Sequence, residues 1–113
     1  MKLGAAMLVG GVGMSQSAMD QSSEQFVACF NANVAPFRRC YGAAAARQPG
    51  LAGEVTVKVV TNADGSVYDL RHLGGTLTDP ALVDCTLQAL GALRYPPHSG
   101  QLFAVETPVE YSP

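Results

Sequence analysis

The chain of 113 residues has no tryptophan, few charged residues and only three cysteines. Charged residues make up 14% of the chain and give a formal net charge of −2. Because nucleic-acid-binding domains normally carry a basic patch or stripe, this balance argues against a nucleic-acid partner. The sequence also lacks a run of 18 apolar residues, and it therefore predicts no membrane-spanning helix.

Sequence signatures of metal binding and of catalysis are also missing. No two cysteines form a Cys-x-x-Cys pair, the spacing typical of zinc knuckles and thioredoxin-type sites. A zinc site has four candidate ligands, without ligand spacing to support it: Cys40, Cys85, His72 and His98. A Cys–His nucleophile oriented by Asp69 or Asp84 is conceivable, but nothing in the sequence brings these side chains together. We therefore predict no catalytic residues, no metal site and no cofactor.

The N-terminus has the layout of a secretory signal peptide. Lys2 precedes an apolar stretch at residues 3–14, and small residues follow at Ser15, Ser17 and Ala18. We predict a signal peptide at residues 1–18, a domain at residues 22–113, and a periplasmic or secreted location. The alternative is a wrongly assigned start, because three later methionines could each begin the chain.

Two amphipathic helices are predicted. Ser22 and Gln25 form a possible capping box, and apolar residues at helical spacing follow through residue 44. Pro36 interrupts this run, so residues 23–47 form either a kinked helix or two helices broken near Asn33. Asp79 and Pro80 are the N-cap and first residue of another helix, which continues to about Arg94.

Three strands are predicted at residues 53–61, 67–73 and 102–111. Valines alternate with other residues in the first, and Asp64-Gly65 favours a hairpin turn to the second. The spacing of Val67 and Leu70 suggests a bulge, and Pro108 marks the last strand as an edge strand or a bulge. The order of elements predicts an α+β fold, a three-stranded antiparallel sheet with two helices packed on one face.

Cys40 and Cys85 lie on the apolar faces of the two predicted helices. If both helices cover the same face of the sheet, an oxidising compartment favours a disulfide between them. The alternative is that both are buried free thiols. Cys29 is left over and is interpreted as a small core residue.

Several stretches resemble the AgmX/PglI C-terminal domain, a family related to the C-terminal domain of TonB. They are residues 37–41 (FRRCY), 48–55 (QPGLAGEV), 64–67 (DGSV), 75–79 (GTLTD) with Cys85, and 95–97 (YPP). The resemblance covers about residues 24–113 and implies a small sheet with two helices on one face. It also implies that Cys40 and Cys85 are a structural pair.

TonB-like domains are periplasmic binding modules, and the resemblance implies that this chain is a non-enzymatic, exported interaction module. It implies binding of an envelope protein or peptide segment by strand addition at a sheet edge. The candidate edge lies in the last strand, at Leu102, Phe103, Ala104, Val105, Glu106 and Thr107. The alternative is an ordinary edge, at which Glu106 and Pro108 prevent unwanted pairing.

Two other functions remain open at this point. One is a small cysteine-dependent enzyme or thiol sensor, which needs an exposed thiol with a depressed pKa. The other is a purely structural remnant of an anchored TonB-like protein. A TonB-type energy transducer has a membrane anchor and a proline-rich spacer. Neither occurs within these 113 residues, so we expect binding rather than force transmission.

Overall fold

The computed structural model describes residues 1–5 and 7–113. Ala6, which falls within the predicted signal peptide, lies outside the described residues. The elements in chain order are β1 (Lys2–Leu3), β2 (Leu8–Val12), α1 (Gln16–Ala32), α2 (Ala35–Arg47), β3 (Gly53–Asn62), β4 (Val67–Gly74), α3 (Pro80–Ala92) and β5 (Leu102–Tyr111).

The strands form one sheet in which every pairing is antiparallel. The order is β1-β5-β3-β4, and β2 lies beside β5 on the same side as β1. The α+β class is confirmed, but the predicted count of three strands and two helices is wrong. Over residues 1–5 and 7–113 there are five strands and three helices. The two additional strands, β1 and β2, lie in the apolar N-terminal stretch. This stretch has the composition of a signal peptide, and its residues do not alternate between apolar and polar as those of a half-buried strand do.

The third helix arises from the break between α1 and α2, which lies near Asn33 as predicted. The side-chain amide of Asn33 donates to the Cys29 carbonyl at 2.8 Å, and its backbone N–H donates to the Phe30 carbonyl at 3.0 Å. These bonds satisfy carbonyls that the end of α1 leaves free. Pro36 lies in the first turn of α2, where its missing N–H costs no hydrogen bond.

The start of α1 differs from the prediction. Ser15 is the N-cap and its hydroxyl accepts from the Ala18 N–H at 3.2 Å, so the helix begins at Gln16. Ser22 lies inside the helix and is buried. The predicted capping box at Ser22 is therefore wrong, because Ser15 provides an earlier cap and no helix-breaking residue intervenes. The residues at which cleavage is predicted, Ser17 and Ala18, lie in the first turn of α1.

The core lies between one face of the sheet and the helices. Alternate side chains of β3 and β5 point into it, with a period of two. They pack with apolar side chains from all three helices in one buried cluster, whose largest members include Phe30, Phe37, Leu82, Leu90, Val55, Val57, Val59, Val105 and Val109. The opposite side chains of β5 are only partly buried.

The β3–β4 hairpin and its bulge are confirmed. Gly65 has a φ of +89° in the turn, and a Cβ there would clash with the backbone of Tyr95. Both facts require glycine at this position. The register shifts between Val60 and Thr61, so β4 contains the extra residue that its spacing indicates.

The prediction that β5 is an edge strand is wrong. It pairs with β3 along its full length and with β2 and β1 on its other side. Pro108 is tolerated for a geometric reason. Its carbonyl accepts from Gly4 N–H at 2.7 Å, and the nitrogen and carbonyl of one strand residue point to the same side. The Pro108 nitrogen therefore faces away from β3, at the gap between β1 and β2, and removes no bond to β3.

Candidate functional site

The candidate site is the outer edge of β5, meaning the row of backbone groups on the side of β5 that faces away from β3. The register between β3 and β5 is unbroken, so the direction of the backbone groups alternates regularly along β5. Because the Pro108 carbonyl points outward, the N–H and C=O groups of Ala104 and Glu106 point outward too. Those of Phe103 and Val105 point to β3.

Two faces of side chains accompany this edge. The side chains of Phe103, Val105 and Thr107 are buried in the core, whereas those of Leu102, Ala104 and Glu106 lie on the opposite, partly exposed face. The six residues predicted as a partner-binding edge therefore lie together in one regular strand. Only the second group could touch a partner on the open face of the sheet. Partner binding at this strand stays a prediction.

This edge is not open in the structure. Residues Leu8 to Val12 of β2 pair with residues 106 to 102 of β5, and Lys2 and Leu3 of β1 pair with Glu110 and Val109. The sequence expectation of a free edge at residues 102–107 is therefore corrected. The sequence did not indicate this pairing because backbone hydrogen bonds between strands require no particular side-chain pattern. A glycine-rich segment such as β2 can therefore form them.

The other end of the sheet is formed by β4, and no described residue pairs with its outer side. Its pairing with β3 is irregular, with register shifts at two points. Bulges and twist of this kind hinder the addition of another strand. The ladder on the outer side of β5 has no such register shift.

The scaffold behind the edge is tied together at α2 and α3. A disulfide joins Cys40 of α2 to Cys85 of α3, with their Cα atoms 5.6 Å apart. Arg47, at the end of α2, forms an ion pair and hydrogen bond with Asp79, the N-cap of α3. The Arg47 guanidinium holds the pKa of the Asp79 carboxyl below its ordinary value. These contacts fix α2 against α3 without touching the outer edge.

The end of β5 is connected to α3 by a buried hydrogen bond. The Thr86 hydroxyl lies 2.8 Å from the Leu82 carbonyl and 2.7 Å from the Tyr111 hydroxyl. Since the carbonyl can only accept, Thr86 donates to it, and Tyr111 donates to Thr86. The Tyr111 ring also stacks on that of Tyr41 in α2. Tyr111 thus holds the last strand against both helices, a role that no motif in the sequence indicates.

The residues considered for catalysis or metal binding do not form a site. Cys40 and Cys85 are joined to each other, which leaves Cys29 as the free thiol. His72 and His98 each hydrogen-bond a backbone carbonyl through Nε2, that of Gly74 at 2.9 Å and that of Thr61 at 3.1 Å. Asp69 pairs with Arg71, and Asp84 is exposed. Within the described part of the chain, no three His, Cys, Asp or Glu residues group as metal ligands.

Among the described residues, none activates the Cys29 thiol. Its thiol donates to the Arg94 carbonyl at 3.5 Å, and its partial burial raises the pKa of the thiol. Reactive cysteines instead need an electropositive, exposed setting that favours the thiolate.

None of the helices in residues 1–5 and 7–113 has the length and apolar character to span a membrane.

Together, these observations define a small α+β domain whose most regular feature is a backbone ladder at one side of its sheet. No protein-family model matches the sequence, and no curated protein does so. A solved structure does match: the NMR solution structure of the TonB C-terminal domain from Helicobacter pylori. The two chains are 25% identical, the alignment covers 88% of this chain and 97% of that one, and the TM-score is 0.50. This chain therefore has a fold like that of a TonB C-terminal domain.

Proposed function

We propose that the chain is a non-enzymatic interaction module of the cell envelope, which binds an extended segment of a partner protein at the outer edge of β5. The observation that carries the proposal is the regular outward ladder at residues 102–106 in a domain with a TonB C-terminal-like fold. The backbone groups supply affinity, and neighbouring side chains supply selectivity.

The edge has a defined length. Ala104 and Glu106 have outward N–H groups, but Pro108 has none, so a continuous ladder ends there. A partner segment of about five residues fits between Leu102 and Glu106. Side chains that the partner projects onto the open face meet Glu106, which lies directly opposite Lys58 of β3. A mixture of charges on this face favours a polar or mixed segment over a wholly apolar one.

An enzymatic function is less well supported. Cysteine chemistry needs a thiolate near neutral pH, yet burial raises the pKa of the Cys29 thiol. The other two cysteines are joined in a disulfide and have no free thiol. A thiol sensor based on Cys29 would need a neighbouring base or cation, and its polar contact is a carbonyl, which lowers no thiol pKa.

Export is part of the proposal. A disulfide and a TonB-like fold agree with an envelope location, because disulfides persist in oxidising compartments. The signal-like composition of residues 1–18 would supply the route. We also propose that the chain is related to the AgmX/PglI C-terminal domains, and the motifs at residues 37–41, which contain Cys40, and 48–55 support this proposal.

The experiment is crosslinking in the native envelope, followed by mass-spectrometric mapping of the crosslinked residues. The test variant is Ala104→Pro, which removes an outward N–H and leaves the bonds to β3 in place, as Pro108 already does. The control is Ala104→Ser, which keeps that N–H. We expect wild type and Ala104→Ser to crosslink the same partner segment near residues 102–106, and Ala104→Pro to lose it.

Equal recovery of that segment with Ala104→Pro would contradict docking at β5. Crosslinks that map to β4 instead would move the binding edge to the other end of the sheet. Circular dichroism and thermal melting of both variants establish that each one is folded. Crosslinks confined to the helices would mean that the sheet edge is not the docking surface.

A further inference from the structure

We propose that β2 is a displaceable cover of the docking edge, so that the chain's own residues 8–12 and the partner segment compete for the same backbone groups of β5. This inference rests on the proposed function, since it concerns control of the same edge. It commits to one occupant, the segment Leu8–Val12, which is seated on the edge in the structure.

The cover coincides with the site. The five residues of β2 pair with residues 102–106, and the ladder stops before Pro108. By the alternation of the strands, the backbone groups of Leu8, Gly10 and Val12 point toward β5, and those of Val9 and Gly11 point away. Ala104 and Glu106 therefore have their outward groups occupied by the backbone of Gly10 and Leu8. A partner strand can reach them only after β2 leaves.

The cover contributes few side-chain contacts. Leu8, Val9 and Val12 are 66%, 38% and 50% exposed, and the remaining two residues of β2 are glycines. A strand that buries so little apolar surface gains little beyond its backbone hydrogen bonds. Glycine also loses more conformational freedom on ordering than any other residue, which further weakens β2. A partner with side chains at these positions would make contacts with the edge that the cover lacks.

Met14 anchors the C-terminal end of the cover. Its side chain lies so close to Gly11 and Gly100 that a Cβ on either glycine would overlap it. Met14 also packs on the edge of the core. The Val12 carbonyl, at the end of β2, also accepts a hydrogen bond from the Gln101 N–H at 2.8 Å. These contacts hold the cover at its C-terminal end, and at its other end Met7 packs against the core and β1 pairs with β5.

The test uses the full chain and two proline variants at adjacent positions. Gly10→Pro removes an N–H that points at β5, whereas Val9→Pro removes one that points away from it. A Cβ at position 10 meets no other atoms, so side-chain crowding does not complicate the first variant. Met14→Ala, which loosens the anchor without touching the ladder, is a third variant.

The first readout is hydrogen exchange of single amides, and it needs no partner. In wild type and Val9→Pro we expect the amides of Ala104 and Glu106 to be protected. In Gly10→Pro we expect them to exchange faster, while the Val105 amide, which points to β3, stays protected and reports an intact fold. Equal exchange at Ala104 and Glu106 in wild type and Gly10→Pro would overturn the proposal.

The second readout is the affinity for a probe strand, the synthetic peptide MLVGGVG with the sequence of residues 7–13. An edge that is open for only a tenth of the time binds about tenfold more weakly than one that is always open. We therefore expect Gly10→Pro to bind the probe at least about tenfold more tightly than wild type, Met14→Ala to fall between them, and Val9→Pro to match wild type. The matched control peptide MLVPGVG should bind none of them well.

The two proposals fail in different ways. Protected amides that are released by Gly10→Pro, with no envelope crosslink at residues 102–106, would leave the cover standing and refute the docking function. Envelope crosslinks at these residues, together with identical probe affinity in wild type and Gly10→Pro, would leave the docking function standing and refute the cover.

Discussion

At the scale of single residues, the fold depends on polar groups that are buried with defined partners. Thr86 and Tyr111 are almost fully buried, and both hydroxyls are used. The sequence predicted the apolar positions around them, because those follow the period of a strand or a helix. It did not predict that these two hydroxyls meet, since 25 residues separate them and no local pattern connects them.

Substitution of Thr86 by valine should cost more stability than substitution of Tyr111 by phenylalanine. Thr86→Val leaves the Tyr111 hydroxyl buried without an acceptor, at a cost of about 1–3 kcal/mol. Tyr111→Phe leaves Thr86 bonded to the Leu82 carbonyl, and we expect a loss of about 0.5–1.5 kcal/mol. Urea denaturation of both variants against wild type measures the difference. A larger loss for Tyr111→Phe would contradict the expectation that the unpaired Tyr111 hydroxyl is the more costly group.

At the scale of elements, the α2–α3 pair is joined by a covalent bond and by an ion pair. The disulfide and the Arg47–Asp79 pair join the two helices at separate points, and both lie away from β5. The positions of the cysteines and the N-cap were readable from the sequence, because caps and apolar faces are local features. The pairing of Arg47 with Asp79 was not, since it depends on how the two helices pack.

Removal of the disulfide should destabilise the domain strongly. Cys40 and Cys85 are 45 residues apart, and closing a loop of that size restricts the unfolded chain by about 4 kcal/mol in the chain-entropy model. We expect the double variant Cys40→Ala/Cys85→Ala to lose a free energy of unfolding of that order in urea denaturation.

The control for this experiment is Cys29→Ala, which removes a free thiol and leaves the disulfide in place. It should keep most of the stability of the wild type, because Cys29 is only partly buried. Ready alkylation of both Cys40 and Cys85 in protein that has not been reduced would contradict the disulfide directly.

At the scale of the whole molecule, the N-terminal segment at residues 1–18 has two interpretations. Its composition is typical of a signal peptide, and in the structure it provides β1 and β2. The two differ in what opens the edge. A chain that is processed on export has lost β2 and its docking edge is open, whereas a chain that keeps the segment carries β2 as a cover that the partner must displace.

Processing should give a mature protein whose first residue lies close to Ser17, Ala18 or Met19. N-terminal sequencing of the protein recovered from the envelope or the medium measures this. We expect a cut there to leave the domain folded, because it removes the first turn of α1 and spares its buried residues Phe26 and Phe30. An exported protein that still begins at Met1 would contradict the signal peptide and would keep β2 beside β5.

The sequence by itself determined most of the elements and the class of the fold. Alternating valines, a hairpin turn at Asp64-Gly65, the cap at Asp79 and the break near Asn33 are local features, and local backbone preferences decide them. The tertiary structure alone decided which edge of the sheet is covered. β2 pairs with β5 through backbone groups, which every residue has, so no pattern of side chains predicts this pairing. For the same reason Pro108, which in the sequence indicated an edge strand or a bulge, lies in a strand with neighbours on both sides, and its ring nitrogen faces the gap between β1 and β2.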